Sequence, residues 1–157
     1  MLDRLFHYWF LDGRLIGSEN PDLPGGAGRI AEHLVRERGV RTMLTLTPAA
    51  RPLGVEGLRQ LHLPIDGEPT RAEVERAIGL VAEGLELGGV WVHCQQGVDR
   101  TGVVIGSYLA SIGHPPERVI GELAERFPER RRAARMVALW EPYRRMIRSF
   151  GRESPMG

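Results

Sequence analysis

The chain has 157 residues, of which 42% are hydrophobic and 26% are charged, and its formal net charge is +1. This composition is close to the globular average and excludes a disordered chain and a membrane bundle, and the length suits one domain with a sizeable core. The near-zero charge gives no general attraction to nucleic acid, so any anion-binding site must be local. We therefore expect a single domain over residues 1–150 and a flexible tail over residues 151–157.

The cysteine count and the apolar segments bear on the compartment. Cys94 is the only cysteine, so no intrachain disulfide can form, and a reducing setting fits best. The most apolar stretch, residues 102–112, is too short for a membrane span. Residues 5–11 lack the cleavage site of a signal peptide. The sequence therefore predicts a cytoplasmic protein without a membrane span.

The first half of the chain predicts two short strands, a helix and two further strands. Apolar, β-branched runs predict the strands, and apolar residues at helical spacing predict the helix. In chain order these elements cover residues 6–11, 14–16, 28–38, 40–47 and 61–65. Asp12-Gly13 suits the tight turn between the first two strands, and Gly39 suits the C-terminal cap of the helix.

The second half predicts helices around one buried strand. Thr70 and Glu73 form a capping box at the start of a helix whose apolar face repeats to Leu85. The apolar strand over residues 90–93 then delivers Cys94 at its carboxyl end. Three further helices are predicted, from about Arg100, from Pro115-Pro116 and over residues 130–149, the last kinked or split by Pro142.

The alternation of strands and helices predicts the fold class. It implies a single α/β domain with a mainly parallel central sheet flanked by helices, because parallel strands need helical crossovers. Such sheets bind ligands at the carboxyl ends of their strands. Cys94 lies at such an end.

The most informative stretch reads HCQQGVDRTG from His93 to Gly102. Five residues separate Cys94 from Arg100 at a strand-to-helix junction. A short loop that wraps onto a helix N-terminus turns successive backbone N–H groups inward and forms a nest for phosphate oxygens. The predicted phosphate-binding residues are Gln95, Gln96, Gly97, Val98, Asp99 and Arg100.

The same loop suits nucleophilic chemistry. A helix N-terminus and a neighbouring cation favour the thiolate form of a cysteine, so Cys94 is the predicted nucleophile. The planar guanidinium of Arg100 matches two phosphate oxygens and can follow the charge as the phosphoryl group moves.

This stretch resembles the signature HCxxGxxR(S/T)G of the Cys-X5-Arg protein tyrosine and dual-specificity phosphatases. The segments GRLIGSENP and LHLPIDGEPT also resemble the opening loop and the acid loop of the small bacterial and archaeal members. The resemblance implies their dual-specificity phosphatase-like fold and two-step hydrolysis through a phosphocysteine, with neither a metal nor another cofactor. It further implies that Thr101 hydrogen-bonds the sulfur and assists its departure, and that His93 supports the loop from behind.

The general acid is predicted to be Asp66, which follows a strand and takes the place of the family's acid in the resemblance. Many relatives carry one more residue between the equivalent proline and aspartate than Pro64-Ile65-Asp66 allows, so Glu68 stays open as an alternative. Asp99 precedes Arg100 as in myotubularin-type and Sac-type phosphoinositide phosphatases. It is therefore a third candidate.

The predicted substrates are phosphotyrosine and also phosphoserine or phosphothreonine in proteins. A phosphoinositide or another small phosphomonoester is the first alternative, and a phosphate-ester binding module without turnover is the second. Sulfur transfer of the rhodanese type is disfavoured by the Gly97 position and the Arg-Thr-Gly helix start. The remaining features are interpreted as structural and not functional. The basic cluster is predicted to be a solvated helix face and the two aromatic residues to pack in the core: Arg130, Arg131, Arg132 and Arg135, and Trp140 and Tyr143.

Overall fold

All five strands described belong to one sheet with helices on both faces. The computed structural model of the protein describes residues 2–127 and 140–152. Its elements are β1 His7–Phe10, β2 Leu15–Ser18, α1 Ala27–Arg38, β3 Val40–Thr45, β4 Arg59–His62, α2 Arg71–Leu87, β5 Gly89–His93, α3 Asp99–Ser111, α4 Pro116–Arg126 and α5 Trp140–Arg152.

The sheet has the strand order β1-β2-β5-β3-β4. β1 pairs with β2 in antiparallel fashion, and the other neighbouring strands run parallel. This arrangement confirms the predicted α/β fold with a mainly parallel sheet. β5 lies at the centre, and its residues Val90, Trp91 and Val92 are fully buried, which accounts for its continuous apolar run.

Two hydrophobic clusters, one on each face, hold the helices to the sheet. On one face, Ile30 and Leu34 of α1 pack with Ile16 and Trp91 of the strands. On the other face, a larger cluster joins the sheet to α2, α3, α4 and α5. The described residues thus form three layers, with both faces of β5 covered by helices.

Helix ends lie where the sequence predicts them. Thr70 and Glu73 form both hydrogen bonds of the capping box before α2. Gly39 ends α1 with a positive φ of 71°, a conformation that glycine adopts without a Cβ penalty.

The β4 region differs from its prediction. The strand covers Arg59–His62 instead of residues 61–65. Leu63 N and Ile65 N still donate to Thr45 O and Leu46 O, both at 3.0 Å, but the intervening Pro64 has no N–H and ends the regular ladder. Leu63 and Ile65 are nevertheless buried. The apolar pattern therefore predicted which residues are buried but not where the strand ends.

The last helix is described from Trp140 to Arg152. Pro142 lies in the first turn of the helix as described, a position where proline is commonly tolerated. The helix includes Gly151 and Arg152, where the sequence predicted the tail to begin. The predicted helical residues 130–139 and the basic cluster of Arg130 to Arg135 fall outside the described residues, and among residues 2–127 and 140–152 no helix is long and apolar enough to cross a membrane.

Candidate active site

The loop from Cys94 to Val98 connects the carboxyl end of β5 to the N-terminus of α3. Cys94 is 2% exposed. The backbone N–H of Gly97 donates a hydrogen bond to Cys94 Sγ at 3.3 Å. The loop therefore turns a backbone donor towards the sulfur, as expected of an anion nest.

Gly97 is required by both its conformation and its surroundings. Its φ is +77°, and an added Cβ would lie 2.6 Å from Glu19 N and from Ser18 C. Backbone of β2 and of the residue after it thus presses directly on the phosphate loop. No larger residue fits here without displacing one of the two chains.

Tyr8 of β1 also supports this loop. Its hydroxyl donates to Gly97 O at 2.8 Å, within the protein interior. Burial, followed by the charge of Cys94, raises the pKa of Tyr8 well above its ordinary value, so the hydroxyl keeps its proton. Sequence reasoning assigned Tyr8 to a strand without a site role, because no local pattern shows which carbonyl a buried hydroxyl reaches.

Asn20 follows β2 and braces the other side of the loop. Its backbone N–H donates to Gln95 O at 3.1 Å, and its side-chain Nδ2 donates to Gln95 Oε1, also at 3.1 Å. The sequence signal for this contact was the segment GSENP, which resembles the family's opening loop. No residue of it was assigned a role.

His93 lies behind the loop. It is 4% exposed, its Nε2 is 3.0 Å from Thr45 Oγ1, and its Nδ1 is 3.5 Å from Cys94 O. Burial lowers the pKa of His93 to about 4, so the ring is neutral at physiological pH. A neutral ring fixed between β3 and the loop suits a supporting position.

Arg100 links the phosphate loop to the loop that carries Asp66. Its Nη1 donates to Ile65 O at 2.8 Å. Ile65 is fully buried, and Asp66, Gly67 and Glu68 beyond it are exposed. The guanidinium thereby fixes the chain immediately before the predicted acid.

A cavity of about 670 Å³ lies over the phosphate loop. It brings together the predicted nucleophile, the arginine and all three candidate acids. It is lined by Asn20, Thr47, Pro48, Ala49, Asp66, Gly67, Glu68, Cys94, Gln95, Gln96, Asp99, Arg100 and Tyr143. Gly97 and Val98, which the sequence grouped with the phosphate-binding residues, do not line it, since Val98 is fully buried and ends the loop at the start of α3.

Thr101 occupies the first turn of α3 and is completely buried. Its hydroxyl has no hydrogen-bond partner among the described residues. The hydrogen bond to the sulfur that the resemblance implies is therefore not formed in this structure.

Tyr143 of α5 is the lining residue that sequence reasoning interpreted differently. It is 5% exposed and belongs to the larger hydrophobic cluster, as predicted, but it also lines the cavity. Burial and then the charges of Asp99 and Glu68 raise its pKa to about 12, against an opposing effect of Arg100.

A cysteine and an arginine that flank an anion loop, at the carboxyl end of a central parallel strand, define the cysteine-dependent phosphatase class of α/β proteins. The family model for the polymorphic toxin system DSP-PTPase phosphatases, Tc-R-P, matches residues 23–114. This match covers more than half of the chain. The protein belongs to this family, within the dual-specificity phosphatase superfamily.

Individual proteins are similar to this chain in sequence or in fold. The chain is 32% identical over 75 residues to the rat (Rattus norvegicus) phosphatidylglycerophosphatase and protein-tyrosine phosphatase 1, in an alignment that covers 46% of this chain and only 39% of that protein. Tk-PTP in its active form is 20% identical, with a TM-score of 0.68 over 98% of this chain and 99% of that one. P. aeruginosa TpbA in complex with pTyr is also 20% identical, with a TM-score of 0.66 over 98% and 85%.

Proposed function

We propose that the protein hydrolyses phosphomonoesters through a phosphocysteine intermediate, with phosphotyrosine in proteins as the first substrate and phosphoserine and phosphothreonine as further ones. One observation carries the proposal. Cys94 lies in the phosphate loop, Arg100 in the first turn of α3 and Asp66 in a separate loop, yet all three line one cavity, with a backbone N–H aimed at the sulfur.

In the first step, the thiolate of Cys94 attacks phosphorus and the bond to the ester oxygen breaks. Arg100 and the N–H groups of the loop bind the non-bridging oxygens, and Asp66 donates its proton to the leaving oxygen. In the second step, the Asp66 carboxylate takes a proton from water, which attacks phosphorus. The P–S bond breaks, and inorganic phosphate and the thiolate are released, so no step requires a metal.

The hydrogen bond from Arg100 to Ile65 O favours Asp66 over Glu68 as the acid. It fixes the peptide directly before Asp66 at the cation that would hold the phosphate. Glu68 lies two residues further along, beyond Gly67, which has a φ of +76°. Of these two side chains, Asp66 is therefore the one whose position is more directly coupled to the phosphate site.

The experiment is phosphate release from a phosphotyrosine peptide, a phosphothreonine peptide and a soluble phosphoinositide, all in chelator, with Cys94→Ser as the control. We expect release from the peptides that Cys94→Ser abolishes. Binding of phosphopeptides without release by the wild-type protein would instead identify a binding module. Equal release by wild type and Cys94→Ser would refute the nucleophile.

Hydrolysis of a lipid or inositol headgroup phosphate is the second candidate. The name of the rat relative includes a phosphatidylglycerophosphatase activity, and Asp99 lines the cavity beside Arg100. Release from the phosphoinositide alone in the same panel would favour this candidate and would make Asp99 the next acid to mutate.

A further inference from the structure

Tyr143 reaches the candidate active site from a part of the chain that the signature motif does not include. It belongs to α5, and it lines the same cavity as Cys94, Asp99 and Arg100. The residue is 5% exposed and packs in the larger hydrophobic cluster with residues of α3 and α4. The ring is therefore held in place by packing, and the residue forms part of the cavity wall.

Most of the other residues that line this cavity have polar side chains. Pro48 and Ala49, from the loop after β3, are the other residues with an apolar side chain, whereas the remaining positions carry amide, hydroxyl, thiol or charged groups or are glycine. An aromatic ring in such a site gives one place where an apolar part of a ligand can be buried. The apolar part of a phosphate ester is its leaving group.

The charge state of Tyr143 suits this position. Because burial and the nearby carboxylates raise its pKa to about 12, the phenol is neutral at physiological pH and adds no negative charge next to a phosphate. The carboxylates also disfavour a leaving group that carries further negative charge. A neutral aromatic leaving group is not repelled by these carboxylates, and its ring can be buried against Tyr143.

We propose that Tyr143 is a specificity-determining residue, which contacts the aromatic ring of an aryl phosphate and selects aryl over alkyl phosphomonoesters. This inference rests on the proposed function and assigns its preferred substrate class. Contacts between aromatic rings contribute beyond the area they bury in either stacked or edge-to-face geometry, and this contribution corresponds to about twofold to tenfold in affinity.

The test compares binding of phenylphosphonate and methylphosphonate. Both have a P–C bond in place of the P–O ester bond, so the enzyme cannot hydrolyse them. Calorimetry on the wild-type protein should show a preference for phenylphosphonate. Tyr143→Leu should reduce that preference by about twofold to tenfold, whereas Tyr143→Phe, which keeps the ring, should retain most of it.

Tyr108→Leu is the matched control. Tyr108 is 8% exposed and belongs to the same hydrophobic cluster, but it does not line the cavity. Tyr108→Leu therefore removes a buried tyrosine without changing the cavity wall. We expect this variant to prefer phenylphosphonate as strongly as the wild-type protein does. Thermal unfolding establishes that each variant is folded, and Tyr143→Met replaces Tyr143→Leu if the latter is not.

The outcomes separate this inference from the proposed function. Cys94-dependent phosphate release together with an unchanged phosphonate preference in folded Tyr143→Leu would overturn the role of Tyr143 alone. Equal loss of preference in Tyr108→Leu would do the same, because the effect would then come from core packing. The absence of any Cys94-dependent release from aryl and alkyl phosphates by the wild-type protein would overturn the proposed function itself.

Discussion

At the scale of single residues, the phosphate loop depends on contacts made by its backbone. Gly97 provides an N–H to the sulfur of Cys94 and a carbonyl to Tyr8, and its Cα leaves no room for a side chain. The side chains of Gln95 and Gln96 line the cavity instead. The loop is therefore specified by one glycine and by the groups that surround it.

We predict that Asp66→Asn slows hydrolysis of a phosphomonoester with a poor leaving group by about 10² to 10⁴. Activated aryl phosphates should be slowed less, since their leaving group departs without a proton. Steady-state kinetics on a phosphotyrosine peptide and on p-nitrophenyl phosphate measure both effects. Glu68→Gln is the control, and if it reproduces the loss while Asp66→Asn does not, Glu68 is the acid.

The neutral state of His93 predicts how stability depends on pH. A histidine with a pKa of about 4 in the folded protein and about 6.5 when unfolded takes up its proton more readily after unfolding. Its contribution to stability is therefore complete above pH 6.5 and is lost as the pH falls towards 4. Between pH 7 and 4.5 we expect this single group to cost about 2 to 3 kcal/mol of the free energy of unfolding.

Urea denaturation at both pH values, with His93→Gln as the reference, isolates this contribution. Between these two pH values, the free energy of unfolding should fall by about 2 to 3 kcal/mol more in the wild-type protein than in the variant. A parallel loss in the two proteins would show that His93 is not responsible for the pH dependence.

At the scale of elements, β5 and α3 hold the loop from its two ends, and β1 and β2 hold it from the side. The carboxyl end of β5 is fixed by parallel pairing with β2 and β3. Asn20, beyond β2, binds Gln95, and Tyr8 of β1 binds Gly97. The antiparallel hairpin of β1 and β2 is thus a support for the site as well as an edge of the sheet.

Tyr8→Phe tests this support. The substitution keeps the buried ring but leaves Gly97 O without its donor, and an unsatisfied buried acceptor costs about 1 to 3 kcal/mol. We expect that loss in the free energy of unfolding, together with a several-fold decrease in kcat/KM because the loop is held less firmly. Tyr108→Phe serves as the comparison, because it removes the hydroxyl of a buried tyrosine without removing a hydrogen bond to the phosphate loop. A decrease of equal size in both variants would contradict the supporting role of Tyr8.

At the scale of the whole molecule, the cavity is assembled from five separate segments. Asn20 follows β2, Pro48 and Ala49 follow β3, Asp66 follows β4, the phosphate loop follows β5, and Tyr143 lies in α5. Four of these segments meet because the carboxyl ends of parallel strands share one edge of the sheet. The fifth meets them because α5 packs against α3 through the larger hydrophobic cluster.

The molecule has almost no net charge, so we expect recognition of a phosphate to depend on local charges such as those at this edge. Arg100 supplies a cation there, while Asp66, Glu68 and Asp99 supply acidic groups. The balance suits a phosphomonoester that carries no further charge, in agreement with the aryl phosphate proposed above from the position of Tyr143.

The sequence by itself determined the fold class, most element positions, and the anion loop of Cys94 and Arg100. These follow from short-range rules: the periodicity of buried residues, the chemistry of helix caps, and ten contiguous residues whose spacing forms the loop. The bounds of β4 were predicted wrongly because Leu63 and Ile65 are buried like strand residues. The strand itself ends at His62, before Pro64 interrupts the hydrogen-bond ladder.

Tertiary structure alone decided which distant side chains reach the loop. Tyr8 and Tyr143 lie in segments whose local patterns indicate only burial, and a buried tyrosine looks the same in sequence whether or not its side chain reaches a functional loop. The attachment of the acid loop to Arg100 through Ile65 O depends on the path of the chain after β4. Such contacts are set by packing between segments far apart in the chain, and no spacing rule encodes them.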